Sequence, residues 1–197
     1  MRGFGTACLS PQSIYIHGMK SVLVYCGSSR AISPVYEETA RELGRLLAGR
    51  SIQLIYGGGR TGLMGILADA VMEAGGLVTG VIPEAMKSKE VAHYGLTKLH
   101  IVENMHVRKA MMMDMADGII ALPGGIGTLE EWSEAMTWLT LGYHSKRCGL
   151  MNVNGFYDPL IAQLQQMHRE GFLRNDWQKY VLVAKQPAEM LDLILPG

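Results

Sequence analysis

Leu122-Pro123-Gly124-Gly125-Ile126-Gly127-Thr128-Leu129-Glu130-Glu131 decides the fold. The apolar run Gly118 to Leu122 leads into it and reads as a buried parallel strand. Pro123 ends that run, because it has no N–H to give to a ladder. Three glycines within four residues allow positive φ and let a ligand reach bare backbone. Thr128 reads as an N-cap, and Leu129, Trp132, Met136 and Leu139 then recur at helical spacing. The expected unit is strand, glycine turn, helix N-terminus, which offers unpaired N–H groups and a partial positive charge to a phosphate. Glu131 would sit in the first helical turn, close to whatever the glycines hold. The bland alternative is that Glu130 and Glu131 only favour the helix dipole.

Working outward, the chain alternates. Strands are expected at Ser21–Cys26, Gln53–Tyr56, Leu77–Ile82, Lys98–Val102, Cys148–Val153 and Tyr180–Val183. Helices are expected from Pro34 (N-cap Ser33) to about Ala48, from Gly62 to Ala74, from Met105 to Ala116, to near Leu141, over Phe156–Glu170, and from Pro187. The polar segment Glu84 to Thr97 reads as a mobile loop beside a site. This pattern predicts an α/β, Rossmann-like doubly wound, mostly parallel sheet with helices on both faces. Ligands in such folds bind at the carboxyl ends of strands, where every glycine-rich turn here falls. Residues 1–18 lack a clear period and read as a disordered extension. Residues 19–197 are expected to form a single Rossmann-like nucleotide-binding catalytic domain.

Composition narrows the function. Of 197 residues, 18 are Lys or Arg and 18 are Asp or Glu, so a balanced charge argues against nucleic acid or an anionic membrane as partner. The three cysteines are far apart, with no CxxC, and the histidines show no HxxxH or HExxH, so no metal site is indicated. No apolar run approaches a membrane span and the amino end lacks a secretory h-region, which fits a reducing cytoplasm.

A second cluster, Gly57-Gly58-Gly59-Arg60-Thr61-Gly62, satisfies GxGxxG after a strand. It lies on the second strand rather than the first, which weakens a dinucleotide reading, and no P-loop pattern is present. Close helix packing is one reading. Phosphate or ribose contact through Gly58 and Gly59 is favoured, because packing alone would not need a third consecutive glycine. Ser28, in the turn after the first strand, could donate to a phosphate or serve only the turn. Arg108 alone would read as a solvated surface charge. Trp132, Trp138 and Trp177 read as core or dimer-interface anchors.

Gly57 to Gly65, Met105-His106-Val107-Arg108-Lys109, and Pro123 to Glu131 together resemble the LOG ("Lonely guy") family, whose PGGxGTxxE signature is matched in full. Members are cytokinin riboside 5′-monophosphate phosphoribohydrolases, and the resemblance spans Met19 to about Leu195. It implies a homodimer without cofactor that cleaves the N-glycosidic bond of an adenosine monophosphate type nucleotide. The products would be free base and ribose 5-phosphate. It also implies Arg108 and Glu131 as the catalytic pair. Nucleotide contacts would come from Glu90, Lys109, Gly124, Gly125, Ile126, Gly127, Thr128, Leu129, Glu130 and Thr137. Ile126 stands where many members have Tyr, which changes the side chain at the turn but not its backbone donors. Relatives have been labelled lysine decarboxylases, yet no pattern places a Schiff-base lysine with a pyridoxal phosphate partner. The chemistry agrees with the resemblance. Glycosidic cleavage builds positive charge on the sugar, which a carboxylate stabilises, while the leaving base needs a cation or donor. A dinucleotide-binding oxidoreductase and a non-catalytic nucleotide-binding module remain alternatives. NAD(P)H binding without base release would mark the first, and tight AMP binding without turnover the second.

Overall fold

The computed structural model describes residues 19–87, 92–173 and 177–196. The expected extension over 1–18, and Glu90, lie outside the described residues. Among the described residues are seven strands and six α-helices, alternating except that β4 follows β3 directly: β1 Ser21–Tyr25, α1 Pro34–Gly49, β2 Gln53–Tyr56, α2 Gly62–Glu73, β3 Val78–Pro83, β4 Lys98–Val102, α3 Met105–Met115, β5 Gly118–Ala121, α4 Ile126–Thr140, β6 Arg147–Met151, α5 Asp158–Arg169, β7 Val181–Ala184 and α6 Pro187–Ile194. All seven strands pair in parallel in the order β4-β3-β2-β1-β5-β6-β7.

Strand alternation sorts the core into two clusters. Val22 and Val24 of β1 face one side, with Leu43 and Leu47 of α1, Leu67 of α2 and Leu191 of α6. Leu23 and Tyr25 face the other, with Met112 and Met113 of α3 and Trp132 and Ala135 of α4. Every residue of β1 and β5 is buried, as expected of strands covered on both faces. Helix α5 covers the second face least well and has no fully buried residue.

The order reverses direction between β1 and β5, so the crevice expected to take a ligand opens above their carboxyl ends. Gly27, after β1, binds the loops together there. Its N–H donates to Pro123 O (3.2 Å) and its carbonyl accepts from Leu63 N (3.0 Å). A side chain at Gly27 would press on the Gly124 backbone at 3.3 Å. Among the described residues no helix is long and apolar enough to cross a membrane.

Candidate active site at the switch point

Helix α4 begins three residues earlier than the sequence suggests. Its N-cap is Gly125, no side chain caps it, and Ile126 is its first residue. Thr128 is therefore not the N-cap. It is buried in the first turn, and its hydroxyl packs against Gly124, where any side chain would collide with it. The first intrahelical bond runs from Leu129 N to Gly125 O (3.1 Å), so the amides of Ile126, Gly127 and Thr128 precede it. Glu131 correspondingly lies in the second turn rather than the first.

The turn's glycines serve the expected opening of the backbone but not the expected positive φ. None of Gly124, Gly125 and Gly127 has positive φ. Gly124 is required by the close approach of Thr128 and Gly27, whereas a side chain on Gly125 or Gly127 would meet nothing within 4 Å. The protein's own packing does not demand these two glycines. They leave backbone open beside an exposed Ile126, which is 81 % accessible.

The second glycine cluster is used internally. Gly58 has φ +76° and lies tight against Val81, Ile82 and Leu99. Its carbonyl accepts from His93 N (2.9 Å), and Gly59 bridges Ala92. All three glycines, Gly57 to Gly59, are buried. Packing therefore does need the third glycine, which corrects the argument that only a phosphate would.

Gly57 exists for Arg108. The guanidinium is 4 % exposed, not the surface charge its sequence context suggests. Its Nη2 donates to Gly57 O (3.0 Å) and its Nε to Val81 O (3.1 Å), while Nη1 faces the sulfurs of Met105 and Met86. A planar fork of donors suits these carbonyls, where a lysine would not. Asn104 caps α3 by accepting from Val107 N (3.0 Å), which fixes the turn that carries Arg108.

Lys109, next along α3, reaches across to α4. Its Nζ lies 2.6 Å from Glu130 Oε1 and 3.1 Å from Glu134 Oε1. Burial lowers its pKa, but the hydrogen bonds it donates to Glu130 and Glu134 outweigh that and raise it on balance. It stays an ammonium, the opposite of what a Schiff-base nucleophile needs. Glu134 was not legible as a site residue. The i, i+4 spacing to Glu130 was the available signal.

Glu131 is half-buried on α4, one position beyond Glu130. Tyr25, the last residue of β1 and 3 % exposed, registers the whole group. Burial drives its phenol well above the ordinary range. Glu131, Cys148 and Glu134 add to the shift, and Arg108 opposes it. Arg108, Glu131 and Glu134 thus act on one point at the end of β1. Ser28 is exposed on the β1 loop, whose backbone underlies Gly62. Thr137 is exposed further along α4, its hydroxyl donating to Ser133 O (2.8 Å). It continues the stripe of Glu130 and Glu134, away from the turn.

Comparison with known proteins agrees with this geometry. The family model described as "Possible lysine decarboxylase" matches residues 64–194. The chain is 46 % identical over 167 residues to the cytokinin riboside 5′-monophosphate phosphoribohydrolase of Rhodococcoides fascians, covering 84 % of each chain. It is 43 % identical over 172 residues to the LOG phosphoribohydrolase of Oryza sativa subsp. japonica, covering 87 % of this chain and 71 % of that one. A solved structural-genomics target superposes with a TM-score of 0.68 at 26 % identity, over 89 % of this chain and 98 % of that one. With the signature turn opening α4 and these matches across most of its length, the chain belongs to the LOG family of phosphoribohydrolases.

Proposed function

We propose that this protein hydrolyses the N-glycosidic bond of adenosine 5′-monophosphate or its N6-substituted forms, giving free base and ribose 5-phosphate. The observation that carries the reading is the uncapped start of α4 at the switch point, with Gly125 and Gly127 bare toward open space. Three amides there and the helix dipole suit a phosphate dianion. The ribose then extends along α4 toward Glu131, whose carboxylate stabilises the cationic sugar as the bond breaks. Arg108, aimed by Gly57 and Val81, supplies the positive charge that the departing base or the phosphate requires. Lys109 reinforces the anion site while Glu130 and Glu134 hold it in place. Glu90 and Thr137 are carried as further contacts on the family resemblance and Ser28 on its exposed place in the turn after β1, whereas Gly58 and Gly59, buried and engaged by packing, are not.

The family model's own description names a different chemistry. A decarboxylase lysine must lose its proton, and Lys109 is held charged by two carboxylates. Lys146, whose burial lowers its pKa, donates to Met113 O and precedes β6, at the amino edge of the sheet and away from the crevice. Both facts favour the hydrolase.

The reading is tested by incubating the protein with AMP and with adenosine and following base release chromatographically, with and without chelator. Base is expected from AMP in both conditions. Unchanged AMP after long incubation would refute it.

The protein is further proposed to work in the cytoplasm as a homodimer, without metal or redox cofactor. Cys148 is a buried free thiol, in keeping with a reducing compartment. Leu141, Tyr143 and Phe172 are largely exposed, and the amphipathic α5 is incompletely covered, which leaves apolar surface on the α4/α5 side. Trp132 and Trp177 are buried in the core and so are not available as interface anchors, while Trp138 is half-buried. Light scattering at micromolar concentration is expected to give twice the chain mass. A monomeric mass would contradict the dimer.

A further inference from the structure

Three polar atoms on the α3/α4 side of the sheet, the Tyr25 hydroxyl, Trp132 Nε1 and Glu134 Oε2, are fully buried yet have no hydrogen-bond partner among the described residues, and of these Tyr25 and Glu134 can bind and take protons. Groups of this kind are costly to bury unpaired, and native proteins satisfy them with water or ligand. Their setting is specific. Glu134 is one turn beyond Glu131 on α4, and its other oxygen, Oε1, is fixed by Lys109 Nζ at 3.1 Å. The carboxylate is therefore clamped at one end and free at the other. Tyr25 ends β1 on the α3/α4 face, in the same cluster as Trp132. The charged and titratable groups that bear on its hydroxyl are Glu131 and Glu134 of α4, Arg108 of α3 and Cys148 of β6. A hydrolase must hold one water near the sugar, and none of the residues assigned by the signature is set aside for it.

Resting on the hydrolytic reading above, we propose that the Tyr25 hydroxyl and Glu134 Oε2 hold the water consumed in the reaction, beside Glu131. Tyr25 donates its O–H to the water, and the water donates one hydrogen to Glu134 Oε2. That leaves one lone pair to face the sugar. In the step, the water oxygen bonds to C1′ of the ribose as the C1′–N bond breaks. The electron pair of that bond leaves with the purine. The proton shed by the water passes to Glu134, which returns it to solvent, and the departing base takes up a proton. One water is consumed, its hydroxyl on ribose 5-phosphate and its hydrogen accounted for on the base. Glu131 remains charged throughout and stabilises the sugar cation. Lys109 keeps Glu134 turned so that its free oxygen points inward.

The test compares wild type, Tyr25→Phe and Glu134→Gln for AMP hydrolysis across pH, with KM and Tm measured for each. Tyr25→Phe is expected to lose about tenfold or more in kcat, with KM little changed. Its Tm should change little, because phenylalanine keeps the ring's packing. The acid limb of kcat should shift, since Tyr25 no longer fixes the water that donates to Glu134. Glu134→Gln is expected to lose more, as the amide cannot take the proton. An active wild type matched by both variants in kcat and acid limb overturns this inference alone. So does a Glu134→Gln protein whose only change is a lower Tm beside an unaltered Tyr25→Phe. A wild type that releases no base overturns the hydrolytic reading, and this inference with it.

Discussion

Glu131→Gln is expected to lose about a hundredfold or more in turnover while AMP affinity changes little. The substitution keeps the size and most of the hydrogen-bonding capacity of the side chain and removes its charge. A carboxylate that meets a sugar cation only at the barrier contributes to kcat rather than to ground-state binding. Its place in the second turn of α4 matters here. In the proposed reading the phosphate occupies the helix start, and the ribose brings C1′ along the helix toward Glu131. Calorimetric AMP binding beside product chromatography separates the two effects. A folded Glu131→Gln protein with wild-type turnover would remove the carboxylate from the mechanism. Glu130→Gln is the control. Glu130 is about half exposed, and Lys109 keeps Glu134 as a partner, so a much smaller loss is expected.

Gly57→Ala is expected to abolish most activity without touching the nucleotide. A methyl group there would collide with Nη2 of Arg108, and the guanidinium would lose its bond to Gly57 O and its aim. Misplacing a catalytic group by about an ångström costs on the order of a hundredfold. Crowding this buried turn should also cost about 1–3 kcal/mol of stability. The decisive comparison is a double-mutant cycle on kcat/KM with Arg108→Ala. Because one change acts through the other, the double variant should be no worse than Arg108→Ala alone, whereas independent effects would multiply. Arg108→Lys should rescue little, since a point charge cannot serve Val81 O and Gly57 O while facing a ligand. Wild-type kcat/KM in Gly57→Ala would show that the aim of Arg108 is irrelevant.

The backbone plan was largely legible because it rests on local signals. Apolar runs between glycine or proline punctuation gave Gln53–Tyr56 and Lys98–Val102 with their observed bounds, and Pro34 and Pro187 marked helix starts. Strand order was not legible, since seven parallel strands share one apolar pattern and only crossovers decide their neighbours. The glycine turns show the same division. That Pro123–Glu131 opens a helix at the ligand edge follows from the residues. That the helix starts at Ile126 depends on Thr128 being drawn into contact with Gly124, a packing fact. Arg108 was misjudged from its own neighbours because its partners are carbonyls on β3 and after β2, 27 and 51 residues away. Carbonyls carry no sequence signature. Tyr25 and Glu134 were missed for the same reason: β1 and α4 meet only when β5 pairs beside β1. The family resemblance supplied Arg108 and Glu131. The fold supplies the reason they can act on one point.

The account turns on the claim that the start of α4 grips a phosphate and thereby positions the sugar for Glu131. The most direct measurement is kcat/KM for base release from AMP against that from adenosine, under identical conditions with wild-type protein. Phosphate binding energy used to position the reacting centre appears in turnover as well as affinity, so adenosine should be poorer by about a hundredfold or more. Equal kcat/KM for the two substrates would contradict the account.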